Sequence, residues 1–330
     1  MSETLDEANE ARQRIDELVS RARGLEVRDY ALAGVVVLLL IIGVFVSDRF
    51  LTLSNMETVL KQASVVGVIS MGMTFVIVTA GIDLSVGAML AAASVAGGTL
   101  AEALSGIDGL AFIVGAIAFG ILLGAVNATA ITFGRVVPFI ATLAMFLAAR
   151  GIALWMSDQQ PISVARMDAV RWFGNGDLLG IPVPILVFLL VTIAAWVLLN
   201  RTAYGRYVVA VGGNREAARI SGIRVNRIVF SVYVLSGLCT GIAAVLLSGR
   251  LASASPVAGN LLELDAIAAV VIGGTSLAGG KGTIVGTTLG VLTFALIFNL
   301  LNLLNLPVEI QQIVKGAIIV AAVVLQRRDD

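Results

Sequence analysis

The sequence predicts an all-α, polytopic membrane protein of about ten spanning helices. Three observations lead there. The composition is 58% hydrophobic and only 13% charged, with a mean hydropathy of +0.98, which lies far outside the range of soluble domains. Apolar runs of about 20 residues, the length that crosses a bilayer, recur along the whole chain. Basic residues gather in alternate connections between those runs, as they do where loops stay on the cytoplasmic side.

The expected spans are 30–46, 63–80, 84–104, 110–131, 138–156, 181–199, 228–248, 263–279, 284–302 and 310–325. The third and eighth are rich in Gly, Ser and Ala rather than Leu and Ile. With a cytoplasmic N-terminus, the inner segments hold fifteen basic residues: Arg12, Arg14, Arg21, Arg23, Arg28, Arg135, six arginines within 200–227, Lys281, Arg327 and Arg328. The outer segments hold four, Arg49, Arg166, Arg171 and Arg250. The bias survives omission of the N-terminal tail and brings both termini to the cytoplasm. The zero net charge hides this asymmetry and gives no sign of nucleic acid.

Residues 1–29 carry eight acids and five arginines and lack the apolar core of a secretory signal. Thr4 and Glu7 have the spacing of a capping box, and Glu10/Arg14 and Glu17/Arg21 are helix-stabilising pairs. The expectation is a cytoplasmic amphipathic helix or tail, solvated, lying on the surface or docking a partner.

The next feature is Ala80-Gly81-Ile82-Asp83-Leu84-Ser85-Val86-Gly87, where one apolar run stops and another begins. An intramembrane carboxylate is expensive to hold and usually has a function or a partner. Aspartate is also a good helix N-cap, so Asp83 reads either as a cap in a broken helix or as part of a transport pathway. Asn127, Asn299 and Asn302, with Asn305 beyond them, are further candidates for a polar lining, or for helix–helix hydrogen bonds. Lys61, Arg150 and Lys315 are expected to snorkel from span ends. Gly120/Gly124, Gly237/Gly241 and Gly282/Gly286/Gly290 are small residues four apart, which let helices approach closely in lipid.

The longest outer connection, 157–180, suggests a short helix from a Ser163 cap to Phe173, ended by Gly174-Asn175-Gly176. Val164, Met167, Val170 and Phe173 share one side of it, and Trp172 and Phe173 suit a membrane interface. It could lie on the bilayer, gate the outer mouth or receive a partner.

Residues 200–227 form a basic island with six arginines and one acid. Asn214 is a good N-cap, Glu216 sits in the first turn and Gly222 can end the helix in a left-handed turn. A helix of about two turns does not hold itself together in water, so a partner protein is implied. Gly279-Gly280-Lys281-Gly282-Thr283 resembles the end of a phosphate-binding loop, but the first glycine position is Thr275 and Lys281 is followed by Gly282. It reads as a tight cytoplasmic turn. The chain has no histidine and one cysteine, Cys239. That removes any intramolecular disulfide and most zinc, Ser-His-Asp and CxxC chemistry, and no catalytic or metal-ligating residue is expected.

Met71-Gly72-Met73-Thr74, Gly81 through Gly87, Gly212-Gly213-Asn214 with Ala217-Ala218 and Ser221-Gly222-Ile223, and Ile272-Gly273-Gly274-Thr275 with Gly279-Gly280 resemble ribose-type sugar ABC importer permeases. The resemblance runs from about residue 30 to the C-terminus in consistent order. It implies the ABC importer permease fold in a bacterial inner membrane and alternating access driven by a separate ATPase that binds ATP and Mg. It further implies a periplasmic or lipid-anchored sugar-binding protein and a second permease copy, identical or different. Residues 214–221 would then be the coupling helix, with Gly212, Gly213, Asn214, Arg215, Glu216, Arg219 and Gly222 contributing. Met167, Arg171, Trp172 and Phe173 would serve an outer gate or docking of the binding protein. Three other readings compete: a permease for another solute such as branched-chain amino acids, an ion-coupled secondary transporter expected to show paired intramembrane carboxylates, and an intramembrane enzyme.

Overall fold

Long apolar stretches with few breakers become helices because a backbone in lipid must satisfy its own hydrogen bonds. The computed structural model describes residues 31–104 and 106–326. It contains α1 (Ala31–Val46), α2 (Leu53–Val78), α3 (Val86–Ala103), α4 (Asp108–Thr132), α5 (Pro138–Met156), β1 (Ile162–Ser163), α6 (Asp168–Asn175), β2 (Asp177–Leu178) and β3 (Ile181–Pro182). These are followed by α7 (Val183–Arg201), α8 (Ala203–Gly213), α9 (Arg215–Ile220), α10 (Val225–Leu251), β4 (Ser253–Ala254), α11 (Leu262–Ile272), α12 (Ile284–Leu303) and α13 (Val308–Gln326). Strand content is confined to two antiparallel two-residue ladders, β1 with β4 and β2 with β3. Among the described residues seven helices are long and apolar enough to cross a membrane: α2, α3, α4, α5, α7, α10 and α12. The expected amphipathic tail, 1–29, and the basic pair Arg327 and Arg328 lie outside the described residues.

Helix α10 is the axis of the molecule, packed on α4, α2 and α3. The glycines explain how closely. A Cβ on Gly120 would lie 2.5 Å from the Gly237 carbonyl oxygen, and one on Gly124 would lie 3.0 Å from the Gly237 Cα. The α4–α10 contact is therefore backbone against backbone, as the four-residue spacing predicts. Gly286 and Gly290 press in the same way on Gly273 and Ala269 of α11, and Gly282 packs on Thr275 and Val78. Helix α2 is buried along most of its length and ends in a Schellman turn: Gly81 N donates to Val76 O and Ala80 N to Ile77 O. The left-handed residue is Ala80, φ 59°, rather than a glycine.

The expected eighth span, 263–279, is corrected. Helix α11 has 11 residues, about 16 Å, which is half the bilayer core. Before it, Ala254 pairs with Ile162, which packs on Gly98 toward the C-terminal end of α3, whereas Gly259 lies against Gly87 at the N-terminal end of α3. Residues 256–261 run as successive turns, with Gly259 and Leu261 left-handed (φ 73° and 63°), so an irregular segment runs along α3 before α11 begins. Gly273 and Gly274 (φ 92°) then turn the chain into the 279–280 loop, where Gly279 and Gly280 have φ of 87° and 73°. That loop is the tight turn the sequence suggests.

Candidate functional site

Three polar assemblies lie outside ordinary helix packing, beginning with the junction around α9. Asn214 caps α9 by accepting a 3.0 Å hydrogen bond from Ala217 N, and Gly222 (φ 83°) closes it with Ile223 N donating to Ala218 O. Ala218 is the buried residue of the helix. Glu216 and Arg219 form an exposed pair at 2.6 Å, and the carboxylate beside it raises the Arg219 pKa above its ordinary value. Arg215 turns back on its own chain, donating from Nη2 to the Thr79 carbonyl at 3.2 Å. Gly212 lies against the Val78 carbonyl, which also accepts from Gly280 N at 2.8 Å. The short helix is thus fixed directly to the end of α2.

Two features here escape sequence reading. Helix α8 fills 203–213, where only α9 was expected, although Thr202 caps it through Gly205 N and Tyr204, Val208 and Val211 are spaced for one buried face. Ile220, 78% exposed at the end of α9, leaves an apolar side chain uncovered.

The second assembly is the α2–α3 break. Asp83 is fully buried. Its Oδ1 accepts from Ser85 N at 3.0 Å and Ser85 Oγ at 2.5 Å, and its Oδ2 accepts from Ser236 Oγ of α10 at 3.0 Å. Asn127 of α4 donates to Ser85 Oγ at 2.9 Å. Asp83 and Asn127 therefore meet through Ser85 and tie three helices together. The expected cap is corrected: the N-cap of α3 is Ser85, without a side-chain cap bond, and Asp83, two residues earlier, instead makes an Asx turn onto Ser85 N.

The third assembly surrounds α11. Arg150 Nη1 donates to Pro256 O at 2.7 Å and Ala258 O at 3.0 Å, supplying donors to carbonyls of the turns before α11 that no helix or strand pairs. Arg150 also lies within electrostatic reach of the buried Glu263. Lys315 of α13 pairs with Asp265 at 2.5 Å. The expected snorkelling of Arg150 and Lys315 is thus corrected, because each points inward to a partner on or before α11; Lys61 pairs with Glu57 at 3.6 Å. Glu263 and Asp265 are carboxylates that a span boundary at 263 concealed. Asn299 exchanges hydrogen bonds of 2.8 and 3.0 Å with Asn55, and Asn302 accepts from Gln311 at 2.9 Å. Asn299 and Asn302 line adjoining clefts far from Asp83 in sequence and packing.

Helix α6 begins at Asp168 and not after Ser163. Ser163 pairs with Ser253 in the β1–β4 ladder, so a strand takes the expected cap and residues 164–167 form a non-helical turn instead of the first helical turn. Val164, Met167 and Val170 are buried, Phe173 packs against the core, and Arg171 and Trp172 face outward. Asn175 Nδ2 donates to Gly249 O and Arg250 O, fastening α6 to the end of α10.

A family model described as "Branched-chain amino acid transport system / permease component" matches residues 55–323. The ribose import permease protein of Bacillus subtilis (strain 168) is 46% identical, covering 89% of this chain and 91% of its own. The ribose import permease protein of Escherichia coli (strain K12) is 44% identical, covering 86% and 88%. The D-allose transport system permease protein of the same organism is 40% identical, covering 88% and 90%. No solved structure matches the chain.

Proposed function

The chain belongs to the branched-chain amino acid transport system / permease component family, and on that premise we propose that it is the membrane subunit of an ATP-binding-cassette importer for a monosaccharide. The observation that carries the ATP-driven part is α9: a capped six-residue helix with an exposed apolar end, fixed through Arg215 and Gly212 to the end of α2. A separate ATPase binds ATP and Mg and grips α9; this chain has no nucleotide site of its own. When the ATPase closes, α9 moves, and Thr79 and Val78 move with it, so the stroke reaches the α2–α3 break without an intervening flexible linker. Gly212 and Gly213 serve this junction by close approach; Glu216, Arg219 and Ile220 face the ATPase. The sugar reading is supported by relatives at 40–46% identity, three of them sugar permeases, against a family description that names branched-chain amino acids.

The test is uptake by the permease reconstituted with its ATPase and binding protein. ATP-dependent entry of ribose or allose, with no entry of leucine, is expected. Entry of leucine alone would move the assignment to amino acids, and entry driven by an ion gradient without ATP would remove the coupling role of α9.

The proposal places residues 200–227 in the cytoplasm and α6 outside, in a bacterial inner membrane, and has Arg171 and Trp172 meet the binding protein. In spheroplasts producing the permease alone, Arg171→Cys is expected to react with a membrane-impermeant maleimide and Ala217→Cys is not. Both positions are exposed, so reversed labelling would invert the topology. Val170 is unsuitable for this purpose because it is buried.

A further inference from the structure

The polar residues along α2, α12 and α13 are not explained by helix packing alone. A cleft of about 230 Å³ lies between these helices and the start of α11. It runs from the α12–α13 turn at Asn302 and Gln311 to Asp265 and Lys315, and Gln62 and Gln312 of the same wall are exposed. A second depression shares Gln62, Ala295 and Asn302 with it and adds Asn55 and Asn299. Amide side chains at membrane depth do not face lipid, where each unmet polar group is costly. They face water or another polar surface.

We propose that this cleft is the station at which the permease holds the sugar, resting on the monosaccharide-importer reading above: Gln62, Asn302 and Gln311 meet its hydroxyls, Asp265 and Lys315 form the floor, and Phe298 is the apolar wall. The chemistry matches on each count. A sugar hydroxyl both donates and accepts, and an amide offers one group of each kind. Phe298 and Phe294 both line the cleft, tilted at 56° with centroids 4.7 Å apart, and supply the apolar surface against which the C–H side of a pyranose or furanose rests. The Lys315 ammonium sits 4.9 Å from the Phe298 centroid, which fixes both groups at the cleft wall. The volume lies below the roughly 300–1,000 Å³ typical of drug-sized sites, in keeping with a ligand of about ten to twelve heavy atoms. The side chains reach one another by exchangeable hydrogen bonds, Asn302 with Gln311 among them, so a passing sugar replaces one polar partner by another. That favours transit over retention. The mouth lies at the outer end of α12, where Asn55 and Asn299 pair, the side from which a binding protein delivers.

Two measurements test this separately from the transport reading. Saturation-transfer NMR with ribose and with allose on the purified permease is expected to give sugar signals that fall at least fivefold in Gln62→Ala/Gln311→Ala; absence of signal from the unaltered permease, or no change in the variant, overturns the site. In reconstituted vesicles the same single substitutions are expected to change the ribose-to-allose uptake ratio at least threefold. An equal fall for both sugars would mean that the amides serve only structure. If the vesicles import neither sugar while the NMR signal persists, the transport reading fails and the site stands.

Discussion

Ile220→Asp is expected to abolish recovery of the ATPase with the permease and to reduce ATP-driven uptake at least 100-fold, with folded permease yield unchanged. The side chain is 78% exposed, so nothing inside the permease depends on it. In the assembly proposed above it is the apolar anchor. Burying an isoleucine contributes about 2 kcal/mol, and an aspartate in its place adds the penalty of a poorly paired carboxylate. Together these exceed the 2.7 kcal/mol or so of a 100-fold change. Glu216→Arg, by contrast, removes a solvent-exposed pair with Arg219 that contributes little to the helix itself. Its effect on assembly comes from the partner's charges and is expected to be smaller and salt-sensitive. Full coupling in Ile220→Asp, together with full coupling when Pro replaces Ala218 and removes the bond from Ala218 N to Asn214 O, would end the docking role of α9.

The reason α9 was legible in sequence and its surroundings were not is the range over which each is determined. Asn214, Glu216 and Gly222 act through their own backbone neighbours, so their types alone disclose the cap, the first turn and the stop. The glycine pairs were legible for a similar reason, since spacing of four is a property of one helix even when the partner is unknown. Helix α11 is different. Its window from 263 to 279 is apolar enough to read as a span, yet Arg150, 113 residues earlier in the numbering, decides that the preceding segment can run as turns without helical hydrogen bonds. Lys315 and Asp265 likewise name each other only after α13 has packed on α11. Ala80 shows the same limit at shorter range: Gly81 looked like the conformational breaker, but the Schellman geometry places the left-handed residue one position earlier. Gly81 is required instead because a Cβ there would lie 2.6 Å from the Tyr233 hydroxyl.

Asp83→Leu is expected to reduce the yield of folded permease several-fold, whereas Asp83→Asn retains most of both yield and uptake. The carboxylate is the common acceptor for Ser85 N, Ser85 Oγ and Ser236 Oγ, and all of these donors are buried. Leucine leaves them without their acceptor, at about 1–3 kcal/mol for each buried group, a large part of the roughly 5–15 kcal/mol that holds a protein folded. Asparagine keeps one oxygen acceptor, so the Asx turn from residue 83 to Ser85 N survives while a bond to one hydroxyl must be re-formed with that hydroxyl accepting. Thr79, four residues before Asp83, receives Arg215 from α9, so loosening this break also affects how the stroke proposed for α9 is passed on. The two roles separate by measurement. Yield and thermal midpoint report the latch; uptake per folded permease reports the pathway. Asp83→Asn with normal yield and midpoint but no uptake would show that the carboxylate itself takes part in transport, and the buried network around Ser85 and Asn127 would then be a working part of the pathway.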